Sequence, residues 1–69
     1  MLQTDIDEAI TELEYIRTRC DAIHTPRFIK LSNECMKMEE RIRNDTYSRG
    51  EILSSVELLM DKLNYLMGT

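Results

Sequence analysis

Apolar residues recur along the first third of the chain at alternating steps of four and three, which places them in one stripe along a helix. Thr4 has a side chain suited to a helix N-cap, and Asp7, three residues later, completes a pattern like the capping box. The stripe ends shortly before Pro26. The pattern therefore predicts a first helix over residues 4–24. Its apolar positions are Leu2, Ile6, Ala9, Leu13, Ile16, Cys20 and Ile23, widened by Ile10.

Pro26 marks the first boundary between helices. Proline disfavours helical geometry at Thr25 and has no N–H to donate, but it suits the first position of a new helix. We expect a second helix over residues 26–44, antiparallel to the first because the connection is very short. One long helix kinked at Pro26 is the alternative, although an interior proline costs about 3 kcal/mol. The second stripe is Phe28, Leu31, Cys35, Met38 and Ile42, flanked by Ile29 and Met36.

A third helix begins after a polar connection. Ser48 and Glu51 have the spacing of a capping box, and Tyr47 and Ile52 flank them as a hydrophobic staple. These two signals predict a helix over residues 49–67. Its stripe is Ile52, Val56, Leu59, Leu63 and Leu66, with Leu53, Met60 and Met67 beside it.

Three helices of similar length with short connections predict an all-α, antiparallel up-down-up three-helix bundle that forms one domain over residues 1–69. Hydrophobic residues make up 42% of the chain, with no Trp and one Phe, so the core must be mostly aliphatic. A domain this small has a limited core, and natural scaffolds of this size often gain stability from association.

Cysteine content and hydropathy bear on the compartment. The chain has two cysteines, no signal-peptide pattern in its first residues, and no segment near the ~20 apolar residues of a membrane span. We therefore expect a cytoplasmic or otherwise intracellular protein with reduced thiols and no membrane contact.

The formal net charge of −4 argues against a nucleic-acid binder, which neutralises phosphates with basic side chains. Charge is nevertheless unevenly spread. The first 16 residues hold five acids and no base: Asp5, Asp7, Glu8, Glu12 and Glu14. Four bases follow against Asp21: Arg17, Arg19, Arg27 and Lys30. Nucleic-acid binding by these bases and mimicry of DNA by these acids are the two minority hypotheses.

Leu58 and Tyr65 are the leading candidates for an interface. They lie one heptad apart, on the far side of the third helix from Ile52, Val56 and Leu63, and polar residues border them. Exposed apolar ridges with polar rims often mark protein contact sites. Isolated surface Leu and Tyr residues are also ordinary, so this remains a hypothesis.

Three further residues are weaker interface candidates. Met36 belongs to a set with Met38, Met60 and Met67 whose default role is core packing, although methionine also lines adaptable binding grooves. Tyr15 lies opposite the first stripe, with Arg19 one helical turn on. A local stacking contact is the simpler interpretation of this pair, and a binding hot spot is the alternative.

Cys20 and His24 share a helix face, and Cys35 comes from the second helix, so the three form a partial set of metal ligands. Zinc takes four ligands, and the Cys-x-x-Cys pair is missing. Both cysteines also occupy stripe positions, where a thiol packs as a small hydrophobe. We expect buried structural thiols, no metal and no cofactor, and a Cys–His catalytic pair is the least favoured alternative.

The sequence carries no phosphate-binding loop and no nucleophile elbow, so we expect no enzyme and no small-molecule substrate. Glu39 and Glu40 are adjacent and point in different directions, and the Glu39–Arg43 spacing suggests ordinary surface electrostatics. The leading hypothesis is a small regulator, inhibitor or adaptor that binds another protein. The alternative is a structural homo-oligomer in which paired chains complete a larger helical bundle.

Overall fold

The computed structural model describes residues 3–44 and 47–68 as three α-helices joined by short connections. The predicted helix bounds are confirmed to within one residue at each end. Leu2 of the first stripe, and Asp45 and Thr46 of the second connection, lie outside the described residues. The helices are α1, Gln3–Ile23; α2, Pro26–Asn44; and α3, Arg49–Gly68.

Contacts between helices give their relative directions. Rising residue numbers on α1 meet falling numbers on α2 and rising numbers on α3, so α1 is antiparallel to α2 and parallel to α3. The three helices therefore run up, down and up within a compact bundle, as predicted. The pairs are Arg17 with Glu39 and Asp21 with Ser32 between α1 and α2, and Asp5 with Arg49 and Arg19 with Met67 between α1 and α3.

One aliphatic core fills the space between the helices. Each helix contributes one stripe, and the most deeply buried side chains come from all three. The largest of these are Leu13, Ile16 and Leu63, and the two cysteines lie among them. The predicted stripes thus supply the core. Its buried members are Ala9, Ile10, Leu13, Ile16, Cys20, Leu31, Cys35, Ile42, Ile52, Val56, Leu59 and Leu63.

Several residues assigned to the stripes or their flanks are exposed instead. Ile23 lies only about 20° around the helix from fully buried Ile16, so its exposure comes from its place as the last residue of α1, where the neighbouring helices do not cover it. Met36, Leu53 and Met67 flank their stripes and fall outside the face that the neighbouring helices cover. The default assignment of Met36 and Met67 to core packing was therefore wrong.

The break between α1 and α2 is sharp, which excludes one long kinked helix. His24 has φ of 56°, and its N–H still donates to the Cys20 carbonyl at 2.9 Å. This is the geometry of a left-handed helix end. Thr25 then precedes α2, its carbonyl accepts from the Ile29 N–H at 2.8 Å, and Pro26 takes the first helical position as predicted.

Of the two other predicted N-caps, the one at the start of α1 is wrong and the one at the start of α3 is confirmed. Thr4 is not an N-cap, because α1 already includes Gln3, whose amide donates to the Asp7 carboxylate at 3.0 Å. At the start of α3 the predicted N-cap is confirmed, because the Glu51 N–H donates to the Ser48 hydroxyl at 3.2 Å. Tyr47 is partly buried against the core, to which Ile52 belongs.

A polar seam that sequence reasoning missed closes the contact between α1 and α2. Glu39 is buried, not a surface residue, and its carboxylate accepts from Arg17 Nη1 at 2.7 Å. This hydrogen bond raises the pKa of the Arg17 guanidinium. Nearby, the buried Ser32 hydroxyl donates to the Asp21 carboxylate at 2.9 Å. A shifted register of α1 against α2 would leave the buried Glu39 carboxylate without Arg17, which disfavours that arrangement.

The left-handed backbone at His24 predicts a stabilising substitution. Residues with a Cβ pay about 1–2 kcal/mol in this region, whereas glycine adopts it freely. His24→Gly should therefore raise the free energy of unfolding by about 1 kcal/mol in urea titrations followed by circular dichroism. The matched control, Glu40→Gly on the exposed face of α2, should lower it by about 0.5–1 kcal/mol. Destabilisation by both changes would show that His24 is not left-handed in solution.

Candidate binding groove between the second and third helices

An open groove runs along the junction of α2 and α3, and all of its lining residues come from these two helices. We call it the α2/α3 groove. Its larger part has a volume of about 410 Å³ and its smaller part about 270 Å³. The two parts lie end to end along the junction and share Glu34, Leu58 and Lys62.

The floor and rim of this groove are apolar. Leu31 and Leu59 are buried beneath it, and Leu66 is partly buried. Leu58 and Tyr65 stand at the rim with 57% and 69% of their surface exposed. The two leading interface candidates therefore lie outside the core and line the same groove, which residue spacing on α3 alone did not reveal.

Basic side chains follow the α2 wall of the groove. We call them the basic row: Arg27, Lys30, Lys37 and Arg41. With Lys62 from α3, five of the nine bases of the chain line the groove, against the acids Glu34 and Asp61. The groove thus carries a formal charge of +3. The remaining four bases and eleven acids give −7 elsewhere, so the chain is strongly polarised.

One ion pair crosses the groove. Lys62 Nζ lies 3.2 Å from Glu34 Oε2, with both side chains partly exposed. Exposed pairs of this kind contribute about 0–1 kcal/mol to stability. The pair has a larger effect on the local charge. Glu34 is the one acid within the basic row, and Lys62 neutralises it.

Tyr15 and Arg19 lie on the other side of the molecule, where α1 meets α3. The Arg19 guanidinium sits 5.9 Å from the centre of the Tyr15 ring and also approaches the Met67 sulfur at 3.8 Å. The local stacking contact is thus confirmed. Met36, on α2, is exposed and does not line the groove. The five candidates therefore do not form one surface. Leu58 and Tyr65 line the groove, Tyr15 and Arg19 contact each other on the α1/α3 side, and Met36 lies apart from both pairs.

The bases and acids of the minority hypotheses are likewise divided. Arg17 pairs with Glu39 and Arg19 stacks on Tyr15, while Arg27 and Lys30 line the α2/α3 groove. Three of the five acids line a small pocket of about 50 Å³ between α1 and α3, together with Leu53: Asp5, Glu8 and Glu12.

Sequence reasoning found Arg27 and Lys30 but missed Lys37 and Arg41 as part of the same row. A usable signal was present, since residues 27, 30, 34, 37 and 41 follow steps of three and four and therefore share one helix face. Charge was compared between residues 1–16 and residues 17–30. This division hid the pattern, because Lys37 and Arg41 lie beyond residue 30.

The two cysteines are free thiols, and both are fully buried in the core. Burial raises the pKa of the Cys35 thiol to about 12, and nearby Cys20 acts in the same direction. Burial also raises the pKa of Cys20. His24 is exposed at the helix break. Within residues 3–44 and 47–68, no three His, Cys, Asp or Glu side chains are grouped so as to hold a metal ion.

Comparison with known proteins gave no match to a family model, to a curated protein or to a solved structure. In the described part of the chain, no helix is both long and apolar enough to cross a membrane. Any functional proposal therefore depends on the groove and the surfaces around it.

The raised thiol pKa values predict loss of stability in alkaline solution. The folded chain holds these protons more tightly than the unfolded chain, whose thiols titrate near 9. The contribution of Cys35 is complete below pH 9 and declines as the pH rises toward 12, by up to about 1.4 kcal/mol per pH unit, and Cys20 acts in the same direction. Urea titrations from pH 8 to about 10.5 should show a steeper loss for the natural chain than for the Cys20→Ala/Cys35→Ala variant. Equal slopes would mean that the thiols are not buried.

Proposed function

We propose that this chain is a small, non-enzymatic protein-interaction module that regulates, inhibits or bridges a partner protein bound in the α2/α3 groove. The observation that carries the proposal is the pairing of an apolar trough with the exposed side chains of Leu58 and Tyr65 at its rim. Apolar surface of this kind, bordered by charged residues, is typical of protein contact sites.

The chemistry of the groove favours binding over catalysis. Among the residues that line it, the hydroxyl of Ser55 donates to the Glu51 carbonyl at 2.9 Å, and Glu34 is paired with Lys62. The strongest nucleophiles of the chain, Cys20 and Cys35, are buried away from it with raised pKa values. A shallow trough open to water also gives little of the solvent exclusion that a reaction needs.

A structural homo-oligomer is the second candidate. Tyr15, Leu53 and Met67 are exposed where α1 meets α3, so the chain presents apolar side chains on more than one side. A second copy could cover such a surface, and association would add to the limited core of a 69-residue chain. Sedimentation of the pure protein separates the candidates, because only the oligomer shows a concentration-dependent increase in mass.

The proposal predicts that partner binding depends on Leu58 and not on a matched leucine of the same helix. Leu58→Asp places a charge at the groove, whereas Leu53→Asp places one on the opposite flank of α3, where the leucine is similarly exposed. Each variant and the natural chain are immobilised and exposed to native lysate. A partner identified by mass spectrometry should be retained by the natural chain and by Leu53→Asp, and reduced at least about tenfold on Leu58→Asp.

Circular dichroism should show unchanged helicity in both variants, because both leucines are exposed. If every retained protein binds all three baits equally, the α2/α3 groove is not the contact surface and the proposal is wrong.

A further inference from the structure

The charge of the α2/α3 groove distinguishes it from an ordinary apolar patch. The basic row runs beside the leucine floor for the length of the groove, from Arg27 near Tyr65 to Arg41 near Ser55. Glu34 interrupts it, but Lys62 pairs with that carboxylate at 3.2 Å. A ligand in the groove therefore meets apolar side chains below it and uncompensated positive charge along one flank.

The shape of the groove fits a helix. Its walls are two antiparallel helices, and a third rod laid between them completes a four-helix arrangement. From residue 27 to residue 41 the α2 wall is about 20 Å long, at roughly 1.5 Å per residue. A ligand helix of about four turns would span it and bring a stripe of apolar residues onto Leu31, Leu58 and Leu66.

We infer that the occupant of the groove is an amphipathic helix of a partner protein, with an apolar stripe on one face and acidic residues along the flank that faces the basic row. This inference rests on the proposed function and names the chemistry of the partner. Complementary charge in such an interface guides encounter and fixes the direction in which the ligand helix lies.

A nucleic acid fits the basic row but not the floor. Phosphates would be neutralised by Lys30, Lys37 and their neighbours, yet the backbone of a nucleic acid gains nothing from a floor of leucines. An acidic amphipathic helix uses both the positive wall and the apolar floor, so it accounts for both features of the groove.

A second copy of the chain fits less well. Two grooves facing each other would bring two surfaces of formal charge +3 together. The apolar stripe of α1, the most acidic helix, is already used in the core. Setting the groove of one copy on the acidic α1/α3 side of the next is a head-to-tail contact, which builds rings or open chains and not a two-fold dimer.

The test uses a displayed library of helical peptides about 14 residues long, matched to the length of the groove. Each peptide carries a fixed leucine stripe, and its other positions are randomised among Asp, Glu, Lys, Arg, Ser and Ala. The full chain is the bait, and binders that also bind Leu58→Asp are removed. The selected peptides should be acidic on one flank of the leucine stripe.

Affinities of the selected peptides are then measured by fluorescence anisotropy. Lys30→Glu/Lys37→Glu should weaken binding by about tenfold or more, because it reverses two charges of the basic row. The control Arg43→Glu is compared with Lys30→Glu and with Lys37→Glu alone, since it makes the same change in net charge at an exposed site that does not line the groove. It should alter affinity by less than about twofold, whereas each single change in the basic row should weaken binding several-fold.

The outcomes separate this inference from the proposed function. Selected peptides with as many bases as acids, or equal affinity for the basic-row variants and Arg43→Glu, would overturn the acidic helix. So would Leu58-dependent self-association in sedimentation, or a DNA or RNA oligonucleotide that binds more tightly than the peptides and is lost with Leu58→Asp. If the library yields no Leu58-dependent binder although a lysate partner depends on Leu58, the inference fails and the proposed function stands. If neither the peptide library nor the lysate yields a binder that depends on Leu58, both the inference and the proposed function are overturned.

Discussion

Burial of one aliphatic core shared by all three helices is the constraint on which this structure depends. Each helix can turn only one face toward the other two, so a bundle of three helices has a single central core and three outer junctions. The fully buried Leu13, Ile16 and Leu63 occupy that centre. Once they are in place, the rotation of α3 about its axis is set. Leu58 and Leu59 are about 100° apart around that axis, so the first is exposed at the groove and the second is buried beneath it.

The junctions on the two flanks of α2 differ in character. Toward α1, buried Glu39 pairs with partly exposed Arg17, and buried Ser32 donates to exposed Asp21. Toward α3, one partly exposed ion pair crosses an open trough. α2 therefore packs one face into the core, forms polar contacts with α1 and presents its basic row to solvent. The polarised charge of the chain follows from this arrangement, because the bases of α2 concentrate at the open junction.

Local patterns predicted the helices well because the physical signals for them are local. The period of apolar residues, the break at Pro26 and the cap at Ser48 each depend on a few neighbouring residues, and each is confirmed. Prediction failed where the outcome depends on a second helix. Glu39 looks like a surface residue within α2, and its burial requires Arg17, 22 positions away, to reach it across the bundle. Ile23 and Met36 are exposed because the neighbouring helices do not cover these positions. The sequence of one helix does not specify where its neighbours lie.

The candidate site was predictable only in part for the same reason. The outward position of Leu58 and Tyr65 follows from the geometry of α3 alone, and the structure agrees. The groove exists only because α2 lies alongside, antiparallel, with its basic row on the matching flank. Leu58 is thus an ordinary surface leucine on the isolated helix and becomes part of an apolar trough only in the assembled bundle.

The adjacent leucines of α3 give the most direct test of this account. Methyl signals of the pure, monomeric chain are recorded by nuclear magnetic resonance with and without a soluble nitroxide, which broadens signals from exposed groups. The account predicts strong broadening for Leu58, which is 57% exposed, and sharp signals for Leu59 and Leu63, which are 6% and 2% exposed. A Leu58 signal as protected as that of Leu59 would place the Leu58 side chain inside the core and contradict the packing of α3 from which the groove follows.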